Sequence, residues 1–173
     1  EDWIAVTKDA LTDLGVNSKR IGLEERSYFI TIEDSKRLAT FLPKAQFVDC
    51  SGLVEQGRLI KSPQEIEYIR QAARTAEAGM RAGIGAVAVG VTENEVAAEV
   101  HRAQILAGSE YTGLPIFIAS GSRVEATHAT WYRRRLEPNE PMLFEIPGCI
   151  NRYHAAMFRP VWLGDPPDAM VRA

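Results

Sequence analysis

Residues 141–163 constrain this chain most: two long apolar stretches, PMLFEIPGC (141–149) and RYHAAMFRPVWL (152–163), lie around a Gly/Asn-centred reversal. Apolar runs bounded by turn residues read as strands, and two strands joined this closely pair antiparallel. Alternate residues of a strand share a face, so Phe144, Ile146 and Gly148 project one way while Glu145 and Pro147 project the other. Across the reversal His154, Ala156, Phe158 and Pro160 share one parity. A carboxylate is costly to bury unpaired, so Glu145 needs a hydrogen-bond donor or a substrate cation beside it.

LPIFIASG (114–121) reads as a further strand of the same run. Two helices precede it. Ser62-Pro63-Gln64-Glu65 combines a Ser N-cap, Pro at the first helical position and Glu at the third, and Ile66, Ile69, Ala73, Ala76 and Met80 then keep one apolar face. The many small residues on that face predict close packing, and the Gly-rich GIGAVAVG (83–90) should end the helix. Thr92-Glu93-Asn94-Glu95 is a second capping box, opening a helix with Val96, Val100, Ala103 and Ala107 on one side and Gly108 at its end. Helices followed by antiparallel strands form an α+β pattern.

The first 57 residues have a different texture. Trp3, Ile4, Leu11 and Leu14 recur at helical intervals up to Gly15, RIGLE (20–24) reads as a strand, and Thr31 to Asp34 caps a helix carrying Leu38, Phe41 and Leu42. AQFVD (45–49) is a second strand, so helix and strand alternate as in an α/β layer with a parallel sheet. The expected domains are therefore residues 1–57 and 58–173, with the boundary near 58–62.

A net charge of −3 and a pI near 5.7 argue against a nucleic-acid binder. The run Arg133-Arg134-Arg135 reads as a solvated turn. Cys50 and Cys149 stand far apart without the paired spacing of a zinc site, which fits a reduced, cytoplasmic protein. No apolar stretch approaches the ~20 residues of a membrane span, and the acidic start EDWIAVTKDALTDLG is unlike a signal peptide. With no initiator Met and a loop-like end, GDPPDAMVRA, the chain reads as a fragment.

His128 follows the Ser/Gly-rich loop in SGSRVEATHATWYRRR (120–135), where a sheet edge can present an imidazole for acid–base work. His101, on the second helix, reads as a surface or half-buried histidine. The order RLIKSPQEIEYIRQAA, GVTENEVAAEV, SGSRVEATHA and FEIPGCINRYHAAMFRPVWLG resembles the creatinase/Xaa-Pro aminopeptidase superfamily, which has the pita-bread fold. The resemblance implies that residues 1–57 are the latter part of a creatinase-like N-terminal domain and residues 58–173 the first half of the catalytic domain.

It also implies roles. His128 falls where the family keeps a histidine next to the scissile bond. Metal-dependent members carry an Asp, ten intervening residues and a second Asp before a Thr-Arg pair; the matching positions here are Glu145 and Ala156, then Phe158-Arg159. Ala156 cannot ligate a metal, and two cations need carboxylates to bridge them. The metal site is therefore expected to be lost, with no cofactor, and the nearer relatives to be the metal-free creatinase-like or ectoine hydrolase-like branch. Phe158 stands where creatinase holds creatine with a glutamate, which argues against creatine as substrate. The implied function is hydrolysis of an amide or amidine C–N bond in a small amino-acid derivative, with His128 as acid and base and Glu145, Ala156 and Phe158 lining the pocket. An Xaa-Pro metallopeptidase and a non-catalytic binding protein stay open as alternatives. The expected partners are a small-molecule substrate and either a second subunit or the missing C-terminal half, without which the fragment should be inactive.

Overall fold

The break near residue 60 separates two units in the computed structural model, which describes residues 2–172: one ends at Ile60, the other begins at Lys61. In the first, α1 (Trp3–Asp13) is capped by Asp2, whose side chain accepts from the Ile4 amide. Then come β1 (Arg20–Leu23), α2 (Ile32–Phe41), β2 (Gln46–Asp49) and α3 (Leu53–Arg58). Thr31 and Asp34 form the expected capping box of α2. β1 and β2 pair parallel, from Arg20 opposite Gln46 to Leu23 opposite Asp49, and Ile4, Leu23 and Leu38 close a small core. α3 had no periodic signal; it is a short helix opening on Gly52 in the left-handed region, φ 89°.

The second unit runs α4 (Pro63–Ala86), α5 (Glu93–Leu106), β3 (Phe117–Ser120), a 3-10 turn (Gly121–Glu125), β4 (Glu140–Ile150), β5 (Tyr153–Leu163) and α6 (Asp168–Val171). The strands form one antiparallel sheet in the order β3-β4-β5. Both expected capping boxes are present, Ser62 with Glu65 and Thr92 with Glu95. Phe144, Ile146 and Met142 of β4 meet Met80 of α4 and Val96 and Val100 of α5 in the main core. β3 is shorter than LPIFIASG: Ile116 is buried, but the strand begins at Phe117.

α4 corrects the sequence reading twice. It passes through Gly83 and Gly85 to Ala86, and its buried face is Ala72, Thr75, Ala76, Gly79, Met80 and Gly83, while Ile66 is 38% exposed. Large apolar residues dominate a periodicity count, but the sheet approaches α4 so closely that only small residues fit beneath it. A Cβ on Gly148 would lie 2.2 Å from the Ala72 carbonyl oxygen and 2.3 Å from Thr75 Oγ1; one on Gly83 would lie 2.7 Å from Val100 Cγ2. Gly83 therefore serves helix packing rather than helix ending.

β4 and β5 are joined by Asn151 and Arg152, with φ of 49° and 63°, the left-handed pair that a two-residue hairpin turn demands. Arginine is unusual there. Its guanidinium lies 4.0 Å from the Tyr111 ring centroid and donates to the Tyr111 carbonyl, while Glu110 accepts from the Asn151 amide. One residue further on, the Tyr153 hydroxyl donates to Glu65 Oε1 at 2.7 Å, joining the start of β5 to the cap of α4. Among the described residues no helix is long and apolar enough to cross a membrane.

Two glycines, one at the helix–sheet contact and one on the exposed side of α4, should respond in opposite directions. Gly148→Ala should destabilise the protein by about 3 kcal/mol, because the methyl meets backbone. Gly85→Ala, with nothing within 4 Å, should stabilise it by about 0.5–1 kcal/mol. Urea unfolding midpoints check both. The Tyr153 hydroxyl, then the Ser62 amide and hydroxyl, hold the Glu65 carboxyl down to about 2 from an ordinary 4.5. Its folded-state value is thus below its unfolded one, so the stability it adds is complete above about pH 4.5 and is lost as pH falls towards 2. Tyr153→Phe should move the Glu65 carboxyl titration, followed by carbon NMR, upward towards 4.5.

Candidate active site

Strand register sets Phe117 of β3, Glu145 of β4 and Phe158 of β5 abreast, on the sheet face turned away from α4 and α5. Directly paired residues share a face, so the parity that buries Phe144 and Ile146 leaves Glu145 on the open side. Its side chain is 24% exposed. It is the only carboxylate at the open-face positions of β4 and β5: its neighbours along these strands are Leu143, Pro160, Pro147 and Ala156.

The segment after β3 brings an imidazole to this row. His128 sits in the left-handed region at φ 57°, its ring stacked on Phe117 with centroids 4.7 Å apart. His128 Nε2 lies 3.4 Å from Glu145 Oε2, an ion pair whenever the imidazole is protonated. Together with Phe117 and Phe158, and with Val124 and Thr127 of the loop, they line a depression of about 210 Å³. Of the residues marked in the sequence, His128, Glu145 and Phe158 therefore meet in one place. Ala156 does not line that depression; it stands opposite Pro147 in an adjoining groove with His154.

The other histidines have structural occupations. His154 Nε2 accepts from the Gly113 amide at 3.0 Å. His101 packs edge-on against Trp131, and burial pushes its pKa down.

What holds the His128 loop is a network that sequence reasoning missed. Glu93, the first residue of α5, is completely buried. Its Oε1 accepts from the Ser120 amide (2.8 Å) and hydroxyl (2.7 Å), and its Oε2 from the Tyr132 amide (2.7 Å) and from Arg123. Ser120 Oγ in turn accepts from Arg134, whose guanidinium grips Glu140 through both oxygens at 2.6 and 2.5 Å. The Glu140 hydrogen bonds hold the Arg134 pKa above its ordinary value. The arginine run is thus solvated at Arg133 and Arg135 but not at Arg134. Arg134 is an internal cation and Arg135 donates to the Gly90 carbonyl, while Arg133 lies over the Tyr132 ring. No local signal marked Glu93, because a capping box already accounts for an acidic residue there and its partners lie 27 to 39 residues away.

Comparison with known proteins fits this geometry. The family described as metallopeptidase family M24 matches residues 67–173, and the creatinase/prolidase N-terminal domain matches residues 2–60. Ectoine hydrolase of Halomonas elongata is 35% identical over 99% of this chain and 45% of its own length. Xaa-Pro dipeptidase of Pyrococcus furiosus is 25% identical over 91% of this chain and 44% of its own. The X-Pro aminopeptidase structure from Thermotoga maritima superposes with a TM-score of 0.88 at 26% identity, covering 98% of this chain and 47% of that one. The chain spans about half the length of the curated relatives it matches.

The first of these descriptions implies metal, and this chain, which spans about half the relatives' length, offers no second carboxylate beside Glu145. Glu145 is the one carboxylate on its face, its neighbours Pro147, Ala156 and Phe158 offer no donor atom, and among the described residues no group of three or more His, Cys, Asp or Glu could hold an ion. The network beneath the loop has its own test. Arg134→Ala leaves the nearly buried Glu140 carboxylate without its cation and should cost about 3 kcal/mol in urea unfolding.

Proposed function

Because the chain belongs to metallopeptidase family M24, whose members are hydrolases, we propose that the whole protein cleaves an amide or amidine C–N bond in a small amino-acid derivative, without a metal. The observation that carries this reading is the pairing of His128 with Glu145 at one depression, on a sheet face where the second aspartate position is Ala156.

The steps use this chain's own groups. A water attacks the carbon of the C–N bond while the imidazole of His128 takes its proton; the imidazolium then gives that proton to the departing nitrogen. Glu145, 3.4 Å away, stabilises the imidazolium between the two transfers. The rings of Phe117 and Phe158 flank the carboxylate and keep water from one side of it. The likeness to ectoine hydrolase makes ectoine the first substrate to test, and Phe158 disfavours creatine. The open face of the sheet is read as the surface that the rest of the catalytic domain or a second copy covers, because large apolar faces are not left bare on monomers.

The test uses the full-length protein, exhaustively chelated, on ectoine and on an Xaa-Pro dipeptide. Turnover of ectoine should persist without metal, and His128→Asn, which keeps a residue tolerant of positive φ, should lower kcat by roughly 100- to 10,000-fold. Dipeptide cleavage that disappears on chelation and returns with Mn²⁺, Zn²⁺ or Co²⁺ would replace this reading with a metallopeptidase. No turnover of any compound would favour a binding protein.

A further inference from the structure

The Arg123 guanidinium makes no hydrogen bond to His128 or Glu145, yet its contacts join the segment that carries His128 to the buried end of α5. One guanidinium nitrogen pairs with the buried Glu93, another donates to the Thr130 carbonyl at 2.8 Å, and the guanidinium carbon lies 5.4 Å from the Tyr132 ring centroid. We infer that Arg123 is a positioning residue that fixes His128 over Phe117 and beside Glu145. The inference rests on the reading of His128 as the proton carrier.

The geometry gives Arg123 work that Glu93 does not need for itself. Without Arg123, Glu93 still accepts from the Ser120 amide, the Ser120 hydroxyl and the Tyr132 amide. The carboxylate would keep three donors but lose its cation, a cost to stability that Arg123→Lys, which retains the charge, limits. The Thr130 carbonyl, however, would lose its tie to the buried anchor. That carbonyl is two residues past His128 and Arg123 is five residues before it, so the guanidinium spans the segment like a strut from side to side. The span matters because His128 is exposed and holds a left-handed backbone conformation that is uncommon outside glycine. Lysine cannot do the same. An ammonium is a point charge on a flexible stem, whereas the planar fork of arginine aims separate N–H groups at Glu93 and at Thr130.

The experiment compares the full-length protein with its Arg123→Ala and Arg123→Lys variants by three measurements. The His128 ring protons, shifted upfield by the stacked Phe117 ring, should move back towards ordinary values in both variants. Amide exchange should quicken over residues 126–131 while β3, β4 and α4 keep their protection. On the compound turned over in the preceding test, kcat should fall on the order of 10- to 100-fold, the cost of a misplaced catalytic group, with KM changed less than about twofold. Unmoved His128 resonances would overturn the inference. So would exchange that rises equally through the strands, which marks a purely structural role, or a lysine variant equal to the parent, which would show that charge alone suffices. If Arg123→Ala fails to fold, Arg123→Lys decides by the same criteria. The resonance and exchange measurements need no turnover, so a hydrolase reading that fails leaves them able to judge the brace.

Discussion

Glu93 is the group on which the second unit of this chain depends. A carboxylate with no exposure is stable only if its oxygens are fully engaged, and here the donors come from three separate places: the end of β3, the 3-10 turn and the strandless segment before β4. Satisfying one buried charge therefore determines where an otherwise irregular stretch of chain must run. Ser120 extends the same constraint, because its hydroxyl donates to Glu93 and accepts from Arg134, which is held by Glu140 at the start of β4. Two carboxylates and two guanidiniums alternate through a serine, so no charge in the network is left alone.

A second constraint acts on the opposite face of the sheet. Gly148 rests on the backbone of α4 at Ala72 and Ala76, and Gly79 and Gly83 let α5 side chains approach the same helix. Each glycine inside α4 gives up about 0.5–1 kcal/mol of helix stability relative to alanine. Close approach offsets it by placing Phe144 and Ile146 in full contact with both helices. The parity that drives these two inward is what leaves Glu145 facing outward between Phe117 and Phe158. Packing on one side of β4 thus decides which residues face the depression on the other.

Much of this was legible in the sequence, and what was not has a common cause. The three capping boxes, the parallel pair, the antiparallel hairpin and the face assignment of Glu145, Ala156 and Phe158 all follow from signals within a few residues of each other. The convergence of His128 on Glu145 was suggested by resemblance rather than by spacing; their 3.4 Å approach is a tertiary fact. Glu93, Arg123 and Arg134 were misread or passed over because a charged residue near a helix start, or in a short basic run, has an ordinary solvated explanation. Only partners brought together from distant parts of the chain distinguish a buried anchor from a solvated face. The α4 face was misread for a related reason. Periodicity weighs large apolar side chains, whereas a close helix–sheet contact selects small ones.

The backbone at His128 ties these threads together. A left-handed conformation costs a non-glycine residue roughly 1–2 kcal/mol, a cost that Gly would remove. The chain places an imidazole there instead, stacks it on Phe117, and sets it against the one carboxylate of its sheet face. The surrounding network supplies the rigidity that such a conformation needs: Arg123 and Tyr132, on either side of His128, are both tied to Glu93. Strain held in place by a buried anchor is the pattern of a residue fixed for what its side chain does. Solvation alone would explain neither the strain nor the anchor, which is why the proposed function places the proton transfer on His128.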